Sequence, residues 1–450
     1  MTSIRSVPPG IRPADRRPFA RTAVLVMALA ASGCATFRPV AIEDVNFKDR
    51  AQSQTNDDVT VSVTVLSADE SRQLFGVPLD EHGIQPVWLR IENRSEHDYL
   101  FVPAGVDPNY FSAQEVAWAN RSRFAAGDRR AMEAHLDRHS MGAYVPRGGS
   151  REGFVHATWD QGVKYVGVQL FRLGGSQQFD FVVDIPGFEA DYHQVDWDTI
   201  VPPESRQAVS LAELRALLAA LPCCVLGPDL ETPGDPLNIV VVGPPGKVFP
   251  PFARRGWDVT ETITGSAVWR TIASSLFGSR YETSPVSPLF FNGRSQDIAL
   301  QRARGTVDER NHLRLWLTPY RLDGKQVWVG QISRDIGVRL SSKTLVTHKI
   351  DPDVDEARDY LLQDILLSGN LAGFGYVEGV GLAAADAPRY NFTLDPYFTD
   401  GLRLVLILDG QYVPADRLRM MGWETPVETP RDEMGRPIEE AAAQPPASEP

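Results

Sequence analysis

The stretch Val59-Thr60-Val61-Ser62-Val63-Thr64-Val65 alternates valine with a hydroxyl residue without a break. A period of two puts every valine on one side of an extended chain, so this segment is a strand buried on one face. Further short strands are predicted over 87–93, 99–102, 153–158, 163–173 and 179–185, bounded by Gly, Asp or Pro, with Gly148-Gly149-Ser150 and Gly174-Gly175-Ser176 as turns. This spacing predicts an antiparallel β-sandwich over 59–200, immunoglobulin-like in broad architecture. A helical insertion interrupts it. Ser112 is placed to cap a segment over 113–138 that carries Val116, Phe124, Met132 and Leu136 as an apolar stripe, and Gly127-Asp128 is expected to break it in two.

Upstream lies a leader. Arg21 precedes an apolar run over 23–31, then Ser32-Gly33-Cys34. A membrane-spanning helix needs roughly 20 apolar residues, which this run lacks. A basic flank, a short apolar core and small residues leading into a cysteine describe a secretory signal over 1–33 ending in a lipobox. Cys34 is then the acylated first residue of the mature chain, 34–58 a polar tether, and the protein is exported and lipid-anchored. Ala35 in place of Asp points toward the outer membrane, on its periplasmic or surface side. Arg16-Arg17 also resembles a twin-arginine signal. The net charge of −13 argues against nucleic acid as a partner and against a polybasic grip on lipid. The expected partners are the membrane, through the acyl chains, and an envelope protein or an anionic lipid or glycan.

Two further cysteines, Cys223 and Cys224, are adjacent. They read as small buried apolar residues, and no disulfide framework is expected. Pro202-Pro203 marks a boundary, and Ser210 caps a helix over 211–221, so 201–234 reads as a linker helix and connector. A second domain over 235–423 opens on a buried strand, 235–243. A helix is expected over 267–277, Asp323-Gly324 signals a hairpin turn, and Asp351-Pro352-Asp353 starts a helix ending near Gly369. A strand over 402–408 closes the globular part, completing either the sandwich or the sheet of the second domain. From Pro426 on, Pro, Glu and Ala dominate, predicting a disordered tail over 424–450. The fold class is thus α+β and multidomain: a sandwich with a helical insertion, followed by an α/β or α+β domain.

Several motifs follow one another in order through the second domain: Asp235-Pro236-Leu237-Asn238, Gly256-Trp257, Gly293-Arg294 with Asp297, His312-x-Arg314-x-Trp316, Val327-Trp328-Val329-Gly330, and Thr347-His348 with Asp351 and Asp353. Together they resemble the LssY C-terminal domain family over about 235–381. In relatives the domain is often joined to membrane-embedded phosphatases of the phosphatidic-acid type. This chain lacks a phosphatase signature and membrane spans, so the resemblance implies only an association with the envelope and its lipids.

Alternation puts His312, Arg314 and Trp316 on one face of their strand, with Leu313, Leu315 and Leu317 on the other. Arg334 and Asp335 end the partner strand, and His348 and Asp351 lie a loop away. If these converge, Arg314 and Arg334 would grip a phosphate or carboxylate and His348 would act as general base. The bland alternative is a set of satisfied polar residues and a helix cap. No metal or cofactor is expected, since the calcium-loop and dinucleotide patterns are incomplete. The expected function is a membrane-anchored binding or structural module. The alternative is a hydrolase acting on a phosphate-bearing envelope substrate.

Overall fold

The computed structural model describes residues 36–160, 162–187, 196–260, 289–303, 310–339 and 347–426. Cys34, the helix expected over 267–277 and most of the tail lie outside the described residues.

The chain enters through β1 (Gln52–Asn56) and β2 (Val59–Val65), joined at Asp57, then α1 (Ala68–Phe75), β3 (Ile84–Asn93) and β4 (Tyr99–Val102). The helical insertion follows as α2 (Ala113–Asn120) and α3 (Ala126–His139). Then come β5 (Tyr144–Val145), β6 (Ser150–Thr158), β7 (Val163–Arg172) and β8 (Gly175–Asp184). One sheet has the order β1-β2-β3-β6 and the other β5-β4-β7-β8. Val59, Val61, Val63 and Val65 are all fully buried between them, against Phe101, Val168 and Phe181. The alternation is therefore the inner face of a sandwich.

The other face of the first sheet carries a second core, where Trp88 and Phe154 meet Phe75, Val116, Met132 and Leu136 from the helices. The helical break falls at Arg121–Arg123 and Phe124 rather than at Gly127-Asp128, which sit inside α3. The residue that stops the helix is Phe124, extended at φ −126°, ψ 151° and turned into the core.

The polar segment over 34–58 is not a loose tether where it is described. Val45 and Phe47 are buried in the helical core, and all five residues of β1 pair with β2. Composition misled here because β1 is an edge strand of polar residues, paired through its backbone and through hydroxyl contacts across to β2, Ser53 with Ser62 at 2.8 Å and Thr55 with Thr60 at 3.0 Å.

After α4 (Trp197–Ile200), the second domain begins earlier than the sequence suggests. β9 (Gln207–Val209), α5 (Leu211–Ala219), β10 (Cys224–Leu226) and β11 (Pro233–Pro236) all belong to it. β9 pairs in parallel with the central sheet, and Leu214 and Leu218 of α5 pack against that sheet. The chain continues as β12 (Ile239–Val242), α6 (Pro245–Arg254), β13 (Asp258–Thr260), β14 (Phe290–Phe291), β15 (Arg294–Ser295), β16 (Ile298–Ala303), β17 (Arg310–Leu322), β18 (Lys325–Arg339) and β19 (Thr347–Ile350). It closes with α7 (Val354–Ser368), β20 (Leu371–Glu378), β21 (Arg389–Tyr390), β22 (Pro396–Tyr397), β23 (Leu402–Leu408) and β24 (Arg419–Met420). The central order is β13-β16-β17-β18-β12-β23-β20-β24.

Asp323 at φ 49° and Gly324 at φ 78° turn β17 into β18 in two residues, the left-handed pair a tight hairpin requires. The helices α6 and α7 cover one face of the sheet through Phe249, Phe252, Leu361 and Ile365, while α5 covers the other. Cys223 and Cys224, expected as small buried apolar residues outside any disulfide framework, are joined as a disulfide between neighbours, with Cys224 buried. Among the described residues no helix is long and apolar enough to cross a membrane.

Candidate functional site

The polar residues of interest sit at one end of β17 and β18, past the point where the apolar rows stop. Register decides which of them meet. His312 lies opposite Ser333, Arg314 opposite Gln331, and Asn311 opposite Arg334. Even positions of β17 therefore share a face with odd positions of β18.

On that face the His312 Nε2 and the Asp335 Oδ2 are 2.7 Å apart. Arg314 donates to Gln331 Oε1 at 2.8 Å, and Gln331 donates to Asp235 Oδ2 at 3.3 Å. Asn391, from the turn between β21 and β22, donates to Asp235 Oδ1 at 2.7 Å. Gln331, Asp335, Asp235, Arg314 and Asn391 are all buried. Burial pushes the Asp235 carboxyl above its ordinary value, against the pull of the Asn391 hydrogen bond and the Arg314 guanidinium. Burial likewise lowers Arg314, which Asp235 and Asp335 oppose. A cation shared among carboxylates in low dielectric is held by mutual attraction, and each member depends on the others. The His312 Nδ1 is buried with no hydrogen-bond partner among the described residues.

Arg334 is on the opposite face. Its guanidinium stands 5.4 Å from the ring of Tyr360 on α7, pairs with Glu356 at 3.2 Å and donates to Asn311 at 3.2 Å. Arg314 and Arg334 therefore cannot close on one ligand. The side chain of His348 lies outside the described residues. Its backbone pairs with Val338, so it stands on the order of 15 Å along β18 from Ser333, the partner of His312. Asp351 accepts from the backbone N–H of Asp353 at 3.1 Å, a turn that leads into α7. The structure thus brings together His312 and Arg314, and leaves Arg334, His348 and Asp351 elsewhere.

The site residues that sequence reasoning missed are Asp235, Gln331 and Asn391, whereas Asp335 was placed at the end of the partner strand and is found against His312. Asp235 opens one of the ordered motifs, which is the signal that could have found it. The other motif residues hold the fold together. The Asn238 side chain donates to Ile332 O at 3.2 Å and accepts from Ile332 N at 2.9 Å, extending the β12–β18 pairing by one step. Trp257 Nε1 donates to Asp364 on α7 at 2.7 Å, and Trp328 Nε1 to Gly243 O at 2.9 Å. Arg294 pairs with Asp297 at 2.8 Å, and Asp297 accepts from Leu317 N at 2.6 Å, while burial pushes its carboxyl up to about 6.

A second buried cluster closes the start of α7. Arg358 pairs with Asp355 at 3.1 Å and Asp400 at 2.7 Å, and burial pushes Asp355 up to about 7. Among the described residues no group of three or more His, Cys, Asp or Glu is placed to hold a metal ion.

Residues 227–402 match the family model described as LssY C-terminus. The matched region starts just after β10 and stops at the first residue of β23, so β9, α5 and nearly all of β23 lie outside it. No curated protein matches the chain.

Proposed function

We propose that this chain is an exported envelope lipoprotein, held at the outer membrane by acyl chains on Cys34, whose two packed domains serve as a binding or structural module. The observation that carries the second half of this reading is the closure of the His312 cluster. Arg314, Gln331, Asp235 and Asn391 engage one another in a buried chain of hydrogen bonds. Groups committed to one another in this way fix strands and loops in place, and a ligand would have to break them to bind. The anchoring half rests on the leader and on Ser32-Gly33-Cys34. The mass of the mature amino terminus, with fractionation of a Cys34→Ala variant, tests it. Release of the variant from membranes is expected, and a variant that still fractionates with them refutes the lipid anchor.

A second reading, a hydrolase of a phosphate-bearing envelope substrate, is favoured by one observation. His312 is oriented by Asp335 at one nitrogen and keeps the other unpaired among the described residues, the arrangement of an oriented general base. Purified protein assayed on phosphoesters tests it, with His312→Ala as control. Turnover lost in that variant would replace the first reading with the second.

A further inference from the structure

A packed side chain stands only three residues after Cys34. Phe37 is already packed. Its ring lies 5.7 Å from Phe124 and 5.7 Å from His135, and its N–H donates to Asp128 at 3.2 Å. Three residues of fully extended chain span at most ~11 Å, so a lipid carried by Cys34 is tethered on a short leash to Phe37 and the helical insertion it packs against.

The surface at that point suits a bilayer. Trp118 on α2 is 67% exposed, although its neighbours Val116 and Ala117 are buried in the helical core. Tryptophan, with an apolar ring and a polar N–H, is the side chain favoured at headgroup level. The Arg121 guanidinium stacks on it, 3.4 Å from the ring centroid. Positions 121–130 hold Arg121, Arg123, Arg129 and Arg130 against the single acid Asp128, in a chain whose net charge is −13. Arg123 pairs with Glu81. Among the described residues Arg121, Arg129 and Arg130 make no ion pair and donate only to backbone carbonyls. Guanidiniums without carboxylates are complementary to lipid phosphates.

We propose that the α2–α3 face is a membrane-contact surface: with the acylated Cys34 in the bilayer, Trp118 lies in the headgroup layer and Arg121, Arg129 and Arg130 meet lipid phosphates. The helices cover the outer face of the first sheet and β7–β8 belong to the second, so Leu173 at the tip of that hairpin lies off the lipid-facing layer. The inference rests on the anchoring reading. It goes beyond that reading because a lipidated protein on a long tether would show no fixed face to the membrane.

The test uses full-length acylated protein in phosphatidylethanolamine–phosphatidylglycerol vesicles, after its mass has shown whether the amino terminus carries acyl chains. Trp118→Cys and Leu173→Cys variants each carry one environment-sensitive fluorophore, since both positions are exposed. A lipid-phase quencher should reduce emission at 118 about twofold or more over that at 173. Equal water exposure at both positions in acylated protein overturns the orientation and leaves this face to a protein partner, with the anchor intact. An unacylated terminus overturns the anchor and the orientation together.

Discussion

Asn370, beside the start of β20, donates to Asp180 of the sandwich across the domain seam at 3.2 Å. Asp180 is the centre of that seam. It also accepts from the Tyr165 hydroxyl at 2.5 Å and from Gln178 at 2.7 Å, and Arg254 of α6 stands 3.6 Å away. Burial and the Asp180 carboxylate together raise Tyr165 well above its ordinary value, so the phenol stays protonated and donates. The sandwich and the second domain are thus joined by a desolvated polar contact.

Replacing Asp180 with Ala should weaken that joint. It leaves Arg254 and Asn370 facing a void, which for a buried charge contact costs about 2–4 kcal/mol. The expected outcome in calorimetry is separation of the domains' unfolding into two resolved transitions. A variant that melts as the parent does would show that the seam is held by something other than Asp180.

Asn238 supplies the second prediction. Its amide stands in for a strand residue opposite Ile332, both are fully buried, and it also donates to Val354 O at 3.4 Å. Asn238→Ala leaves an N–H and a carbonyl unpaired in the core, each costing about 1–3 kcal/mol. Urea unfolding should show a loss of about 2–4 kcal/mol with an unchanged slope. Asn238→Asp should cost as much or more, since it keeps the acceptor and loses the donor.

His156 makes the sandwich acid-labile. It is buried beside Phe75, and burial lowers its imidazole to about 4. The unfolded chain binds the proton near 6.5, so stability is complete above that pH and falls as pH drops through the window between 6.5 and about 4. At pH 4.5 the loss from this group is about 2–3 kcal/mol. His156→Leu should flatten that part of the profile, measured as the difference between variant and parent at pH 7 and 4.5. Parallel profiles would mean that His156 takes up its proton without cost.

The sandwich was legible because valine alternation states both the period and the buried side, and β2 and β4 match their expected bounds. What stayed illegible depended on long-range partners. Gln52–Asn56 is polar throughout and becomes a strand only because β2 is there to pair with it. β9, α5, β10 and β11 read as a connector because nothing local tells that β9 joins β17 or that β11 brings Asp235 to Gln331. Within the candidate site, alternation correctly put His312 with Arg314. The register across the hairpin was needed to find that Arg334 faces the other way, since a one-residue shift exchanges the faces.

That division of faces yields the last prediction. Arg314 stands among buried carboxylates, with Asp235 raised by burial and restrained by this same guanidinium. Arg314→Leu removes the restraint, so the folded-state affinity of Asp235 for a proton rises further above its unfolded value. A carboxyl with a raised folded value contributes stability at low pH that is lost as pH rises through that value. The variant should therefore be most damaged at neutral pH, by about 3–5 kcal/mol, and should recover relative to the parent as pH falls toward 4. Arg334→Leu makes the contrast, because its partner Glu356 is 51% exposed. It should cost about 1 kcal/mol or less, with no recovery in acid. Chemical denaturation of both variants between pH 7 and 4.5 separates the two behaviours. Equal losses with the same pH dependence would mean that the two arginines share one environment, contrary to the opposite faces on which β17 and β18 place them.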